Sequence, residues 1–200
     1  MPYITRMTET GLAAAAKALS RAFMKDPLQN YTFPVEADRI AKGPMHFSAA
    51  LKYGLLFGEV YAAPDTEGVS IWLKPGATEI TPENAHAAGF TSLPEKIGAD
   101  AFERFFSVIA FADEYHKLDL PEPHWYTMVL GVDPAFQGQG LGRALLQPVI
   151  DKAAAAGLPV YLETAQPVNV TFYKNIGFRL IHKLREPTSG LDLWTFRLDP

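Results

Sequence analysis

The sequence contains no cysteine. That absence excludes a disulfide scaffold, a thiolate metal site and a cysteine nucleophile together, and it accords with a reducing compartment. Also missing is any run approaching the ~20 apolar residues that a membrane helix needs. The opening Met1-Pro2-Tyr3-Ile4-Thr5-Arg6 lacks a basic segment followed by an apolar core, so no secretory signal is expected and the cytoplasm is the expected location. Positive charge is not in excess: 18 Lys and Arg against 22 Asp and Glu give a net charge of −4, which argues against a nucleic-acid partner. Internal repeats and low-complexity tracts are absent as well. The histidines, at 46, 86, 116, 124 and 182, show none of the short ligand spacings of a zinc site, and no metal is expected.

What is present is an ordinary globular composition, 48% hydrophobic and 20% charged over 200 residues, enough for one domain spanning residues 1–200 without a staple. Residues 3–6 read as an opening strand. Leu12, Ala15, Ala16, Leu19 and Phe23 fall at steps of three and four, a helical period that Asp26-Pro27 stops. Residues 29–34 read as a loop carrying Tyr31, and a second helix is expected over 36–53, ending near Gly54. Strands at 58–63 and 69–73 form a hairpin by composition. Residues 82–117 are helical with breaks at Gly89, Pro94 and Gly98.

The second half is more legible. A strand at 124–132 leads through a turn to a helix at 140–156, bent where Pro148 removes an amide. A strand at 159–164, a short helix at 168–175 and strands at 178–184 and 193–198 complete the chain. Strand, helix and strand across 124–164 imply a right-handed crossover and a parallel central pair, and the flanking hairpins imply antiparallel neighbours. The expected fold class is α/β, with one mixed sheet flanked by helices.

Between strand and helix lies Gln137-Gly138-Gln139-Gly140-Leu141-Gly142-Arg143. Glycines at alternate positions leave backbone amides unshielded at a helix N-terminus, where the dipole also favours an anion; a diphosphate is the natural ligand. The plain alternative is a loop whose glycines only serve a turn. A nucleotide P-loop needs Lys and Ser or Thr after its last glycine, and Arg143-Ala144 stand there instead. A dinucleotide fingerprint needs glycine at Arg143; Glu163 at the end of the next strand supplies its acidic residue, but too little chain follows for a second half.

The segment does fit a third type. Gln137-x-x-Gly140-x-Gly142 resembles the pyrophosphate-binding signature of the GNAT superfamily of acyl-CoA N-acyltransferases. Further matches follow in order: Val129-Leu130-Gly131-Val132-Asp133-Pro134 before it, then Leu162-Glu163-Thr164, then Asn169-Val170-Thr171-Phe172-Tyr173-Lys174-Asn175-Ile176-Gly177-Phe178. Pro123-His124-Trp125-Tyr126 makes the ensemble most similar to the puromycin N-acetyltransferase-like branch. The resemblance implies a sheet whose strands at 127–132 and 159–164 splay apart, with acetyl-CoA as co-substrate in the gap.

Within that resemblance, backbone groups of Leu130 and Val132 would pair with the pantetheine arm, beside Gly131, as an added strand does. A main-chain N–H near Leu130 would hold the thioester oxygen. Gln137 and the amides of Gly138, Gln139, Gly140, Leu141, Gly142 and Arg143 would hold the diphosphate. Asn169 would contact the pantetheine arm, and Tyr173, one helical turn on, would protonate the departing thiolate. Each has a plain reading beside it: a helix cap for Asn169, a core aromatic for Tyr173, a solvated arginine for Arg143.

A primary ammonium with a pKa of ~10 must lose a proton before it attacks. Glu163 and, after it, His124 are the candidate bases; the strand's alternation with Tyr161 leaves the facing of Glu163 open. Asp26 and Tyr31, between the first two helices, are candidate acceptor contacts, unless Asp26-Pro27 only ends a helix. The function implied is acetyl transfer to a primary amine of a small molecule by direct attack, in a monomer or homodimer. Two rivals stand beside it: a non-catalytic acyl-CoA-binding sensor with the same fold, and an enzyme for longer acyl chains, decided by the width beside Gly131.

Overall fold

The computed structural model describes residues 2–200. After a short strand β1 (Thr5–Arg6), the periodic segment folds as helix α1 (Leu12–Ala22) with Ala15, Ala16 and Leu19 turned inward. Residues 29–34, expected as a loop, belong largely to a short helix α2 (Pro27–Thr32). Asp26-Pro27 ends one helix and also starts the next. The Asp26 carboxylate accepts from the amides of Leu28 and Gln29 at 2.9 and 3.3 Å, and proline at the first helical position forfeits no bond. Helix α3 (Glu36–Phe57) runs past Gly54, where the expected helix ended. Gly54 is a contact point: a Cβ there would stand 2.4 Å from Ile71 Cγ2 and 2.9 Å from Val60 Cγ2, so its bare backbone lets α3 lie on the sheet.

Strands β2 (Gly58–Ala62) and β3 (Gly68–Leu73) pair antiparallel, as their composition implied. Helices α4 (Pro82–Ala88), α5 (Leu93–Ile97) and α6 (Ala99–Asp119) follow. The crossover consists of β4 (Trp125–Val132), α7 (Leu141–Ala156) and β5 (Val160–Thr164). Helix α8 (Val168–Ile176) and strands β6 (Arg179–Arg185) and β7 (Asp192–Leu198) close the chain. One seven-stranded sheet results, in the order β1-β2-β3-β4-β5-β7-β6, with β4 and β5 parallel and the other neighbours antiparallel.

Alternation along the strands sends side chains to two faces. Leu19, Phe47 and Leu51 of α1 and α3 cover Val60, Val69 and Ile71 on one face. Leu145, Leu146, Val149 and Tyr173 of α7 and α8 cover Trp72, Leu162 and Phe196 on the other. Each such fully buried aliphatic side chain contributes about 1.5–3 kcal/mol. Pro148 lies inside α7, and beside that break the Leu145 carbonyl accepts from the Ser70 hydroxyl at 2.9 Å, tying the interrupted turn to β3.

One histidine is placed without a polar partner. His46 of α3 is buried among the rings of Phe33, Phe47 and Phe105, at centroid distances of 6.3, 5.2 and 4.4 Å, and its Nδ1 has no hydrogen bond. Burial pushes its pKa down to about 4. The folded value lies below the ordinary ~6.5, so this group contributes stability that is intact above pH ~6.5 and lost as pH falls toward 4, on the order of 3 kcal/mol in full. The unfolding free energy of wild type minus that of His46→Leu is therefore expected to fall by about that amount between pH 7.5 and 4. Parallel curves across that window in urea titrations would exclude the effect.

Candidate active site

β4 and β5 pair at only two steps, Trp125 with Val160 and Tyr126 with Tyr161. β4 stays paired to β3 up to Val132, through an irregularity between Ile71 and Trp72, and β5 stays paired to β7 along its whole length. Past Tyr126 the two strands therefore diverge, and the β5-side edge of β4 loses its strand partner from Thr127 onward. The splay expected at residues 127–132 is present.

A cavity of about 1120 Å³ opens along this gap. Its floor is Leu130, Gly131 and Val132, and its far end is the corner before α7. Gly138 and Gly140 there have φ of +78° and +81°, values that favour glycine, and a Cβ on either would meet nothing within 4 Å. The first-turn amides of α7 have no intrahelical acceptor; Ala144 is the first to find one, on the Gly140 carbonyl at 3.0 Å. Leu141, Gly142 and Arg143 line the same end.

Two side chains of the corner are engaged within the protein. Gln137 Nε2 donates to the Val132 carbonyl at 3.0 Å, bracing the turn. Arg143 donates to the Asn175 carbonyl at 2.8 Å, joining the start of α7 to the end of α8. Gln139 lies outside the cavity lining. With one donor engaged at Asn175, Arg143 still lines the cavity beside the first-turn amides of α7.

From α8, Asn169 and Tyr173 enter the cavity wall. Asn169 Nδ2 donates to Thr164 Oγ1 at 3.2 Å, which leaves its carbonyl oxygen for a ligand amide. Tyr173 is buried, with its ring packed by Phe172, Phe178 and Phe196 at 5.1, 5.7 and 5.5 Å. Burial, then the negative charges of Glu163 and Asp26, push its phenol well above the usual tyrosine value, so it holds its proton at neutral pH. Asp26 lines the same cavity, and burial raises its carboxyl to about 6 despite the Gln29 and Leu28 amides.

The remaining predicted residues lie outside that lining. Tyr161 stacks on His116 of α6 at 4.3 Å, so Glu163, two residues on, faces α6 as well. The Tyr126 phenol donates to Glu163 Oε1, while Oε2 is buried with no partner. Burial brings Glu163 to about 7, with the Tyr126 hydrogen bond opposing and Asp113 and Asp119 adding. His124 is engaged at both ring nitrogens, with His116 Nε2 at 2.7 Å and the Glu122 carbonyl at 2.6 Å. It is a buried packing group here, and the structure does not bring it to the cavity. Tyr31 packs against the buried cluster of Val108, Ala112 and Leu193 rather than in the cavity wall.

The profile of the acetyltransferase (GNAT) family matches residues 68–178, more than half the chain. The chain belongs to the GNAT family. A relative from Schizosaccharomyces pombe named "Uncharacterized N-acetyltransferase C550.08" is 28% identical over 82% of this chain and 69% of its own. The "N-alpha-acetyltransferase RimI" of Mycobacterium tuberculosis is 31% identical over 60% of this chain and 70% of its own. Among solved structures, a histone acetyltransferase HPA2 and related acetyltransferase from Corynebacterium glutamicum superposes with a TM-score of 0.65 at 21% identity, covering 100% of this chain and 96% of that one. The protein is thus an N-acetyltransferase that uses acetyl-CoA.

This GNAT site fits that co-substrate on its own geometry: an open cradle at Gly138 and Gly140, an unpaired strand edge, and Asn169 with a free carbonyl oxygen. Sequence reasoning missed the opposite wall, which is the end of α1. Arg21 pairs with Asp133 beside the corner, and Phe23, Met24 and Lys25 continue the lining toward Asp26. In the sequence Phe23 reads as a position of a helical period and falls at the start of a weaker family echo over 22–34, without a role in the site. Among the described residues no group of three or more potential metal ligands gathers, and no helix is long and apolar enough to cross a membrane.

Gly140→Ala should separate cradle from scaffold. Its Cβ would enter the space expected to hold the diphosphate, and the left-handed backbone adds about 1 kcal/mol of strain. Acetyl-CoA affinity by calorimetry is expected to fall at least tenfold while the protein stays folded by circular dichroism. Undiminished affinity would move the diphosphate elsewhere.

Proposed function

We propose that this protein transfers the acetyl group of acetyl-CoA to a primary amine of a small molecule by direct attack within one ternary complex. The observation that carries the reading is that one cavity joins the phosphate cradle, the unpaired edge of β4, the Tyr173 phenol and the Asp26 carboxylate. Residues reach each reacting group in a sensible order. A β4 amide near Leu130 holds the thioester oxygen as charge builds on it, a contact of about 3–4 kcal/mol in comparable sites. Asp26 attracts the acceptor's ammonium. Glu163, outside the cavity lining and held near neutrality by burial, takes the acceptor's proton through a water relay. Tyr173 gives its proton to the departing sulfur, and the raised phenol pKa ensures that the proton is there to give.

The absence of cysteine supports direct attack, because it removes the easiest nucleophile for an acetyl-enzyme route. The likeness to an N-alpha-acetyltransferase favours, as a second reading, the α-amino group of a polypeptide. Within the family, Pro123-His124-Trp125-Tyr126 at the entry to β4 supports placement near the puromycin N-acetyltransferase-like branch. Thiol release from acetyl-CoA across a panel of small amines and peptide N-termini tests the acceptor class. A labelled acetyl-enzyme trapped in the absence of any amine would refute direct attack.

Two substitutions test the roles. Tyr173→Phe is expected to lower kcat by about 10²-fold or more while the dissociation constant of acetyl-CoA stays within twofold, since only the transition state loses an interaction. For Glu163, the base must be unprotonated to act, so wild-type kcat/KM should rise with pH through about 7. Glu163→Gln should lower the plateau and abolish that limb. An intact limb in the variant would remove Glu163 from the reaction.

A further inference from the structure

The main chain proposed to carry the thioester is Leu130-Gly131-Val132, and Gly131 has a neighbour where its side chain would be. A Cβ on Gly131 would stand 2.7 Å from Leu19 Cδ2, 2.8 Å from Phe23 Cε2 and 3.1 Å from Ala22 Cβ. Helix α1 and the residue that follows it therefore rest directly on the β4 backbone. Ala22 and Phe23 also line the cavity, so the same side chains that fill the Gly131 space form its wall. Phe23 is backed from behind by the Phe47 ring of α3, at a centroid distance of 5.1 Å and 40° between planes. Phe47 is itself buried, at 3% exposure, so on that side the phenyl ring of Phe23 rests against the core.

We infer that Phe23, seated on Gly131 and braced by Phe47, is the stop that limits the transferred acyl group to two carbons. The inference rests on the proposed cofactor pose. Glycine at 131 brings the wall to the strand, and the phenyl ring closes what remains. An acyl chain extended past acetyl on this side meets a ring that is packed on both of its sides. The discrimination is by volume: rejection of excess methylene in a full pocket is worth roughly 10- to 200-fold. Met24 and Lys25, further along the same wall, have no glycine opposite them among the strand residues of the floor, which singles out Phe23 in this segment.

Calorimetric titration of acetyl-CoA, butyryl-CoA and unacylated CoA into wild type, Phe23→Ala and Phe23→Leu tests this without knowledge of the acceptor. Wild type is expected to bind butyryl-CoA at least tenfold more weakly than acetyl-CoA. In Phe23→Ala that ratio should fall to within about threefold, with Phe23→Leu between them. The leucine variant keeps the test open if alanine does not fold, and the affinity for unacylated CoA reports whether the cradle survives. Equal binding of the two thioesters to wild type, or a ratio unmoved in both variants, overturns the inference while leaving acetyl transfer intact. Failure of all three ligands to bind wild type overturns the cofactor pose and this inference together.

Discussion

Beyond Tyr126 and Tyr161, β4 and β5 stop bonding to each other although each keeps its other neighbour. Amides and carbonyls at such an inner edge need a partner, from water or from a ligand. An extended amide chain laid along β4 meets that need strand by strand, which is why a pantetheine arm suits the gap and a rigid ring system would not. The corner before α7 continues the same logic, because its left-handed glycines and first-turn amides are also unsatisfied backbone. In the proposed pose the co-substrate is thus met chiefly by main chain. Side chains such as Gln137 and Arg143 act one step back, by fixing the backbone that makes the contact.

The chemistry, by contrast, depends on side chains, and burial sets their protonation. Asp26 and Glu163 are raised to about 6 and about 7, in each case first by loss of water. Their charges in turn disfavour ionisation of Tyr173. Environment thus sets two carboxyls near neutrality and keeps the phenol protonated, which is what the proposed roles require. The two faces of the sheet keep these roles apart. Glu163 lies on the α6 face, where Tyr126 and Tyr161 pack around His116, while Tyr173 reaches in from the apolar α7 and α8 face.

Legibility in the sequence followed the range of the interactions. The crossover from β4 to β5 could be placed because glycines at 140 and 157 mark the ends of α7, and because alternating glycines have few other uses at a strand-to-helix corner. The short helix α2 was read as loop because Asp-Pro stops one helix and caps the next with the same residues. Gly54 looked like a terminator because its reason, contact with Ile71 and Val60, lies in other elements. The facing of Glu163 depends on α6, and the burial of His124 depends on His116, so neither could be settled from local pattern. Phe23 carried a helical period and a cavity wall at once, and periodicity reports only the first.

That double duty extends to the whole segment from Arg21 to Asp26. Arg21 is tied to Asp133 next to the phosphate corner, Phe23 rests on Gly131 at the middle of the cavity, and Asp26 caps α2 at the acceptor end. The three anchors lie on one stretch of chain, and in the proposed pose the diphosphate, acyl and acceptor positions follow one another along the same cavity. A shift of α1 away from β4 would loosen the corner, widen the acyl space and move the carboxylate together. Gly131 prevents that shift by letting helix and strand touch, so a residue with no side chain sets the position of a wall that spans the site.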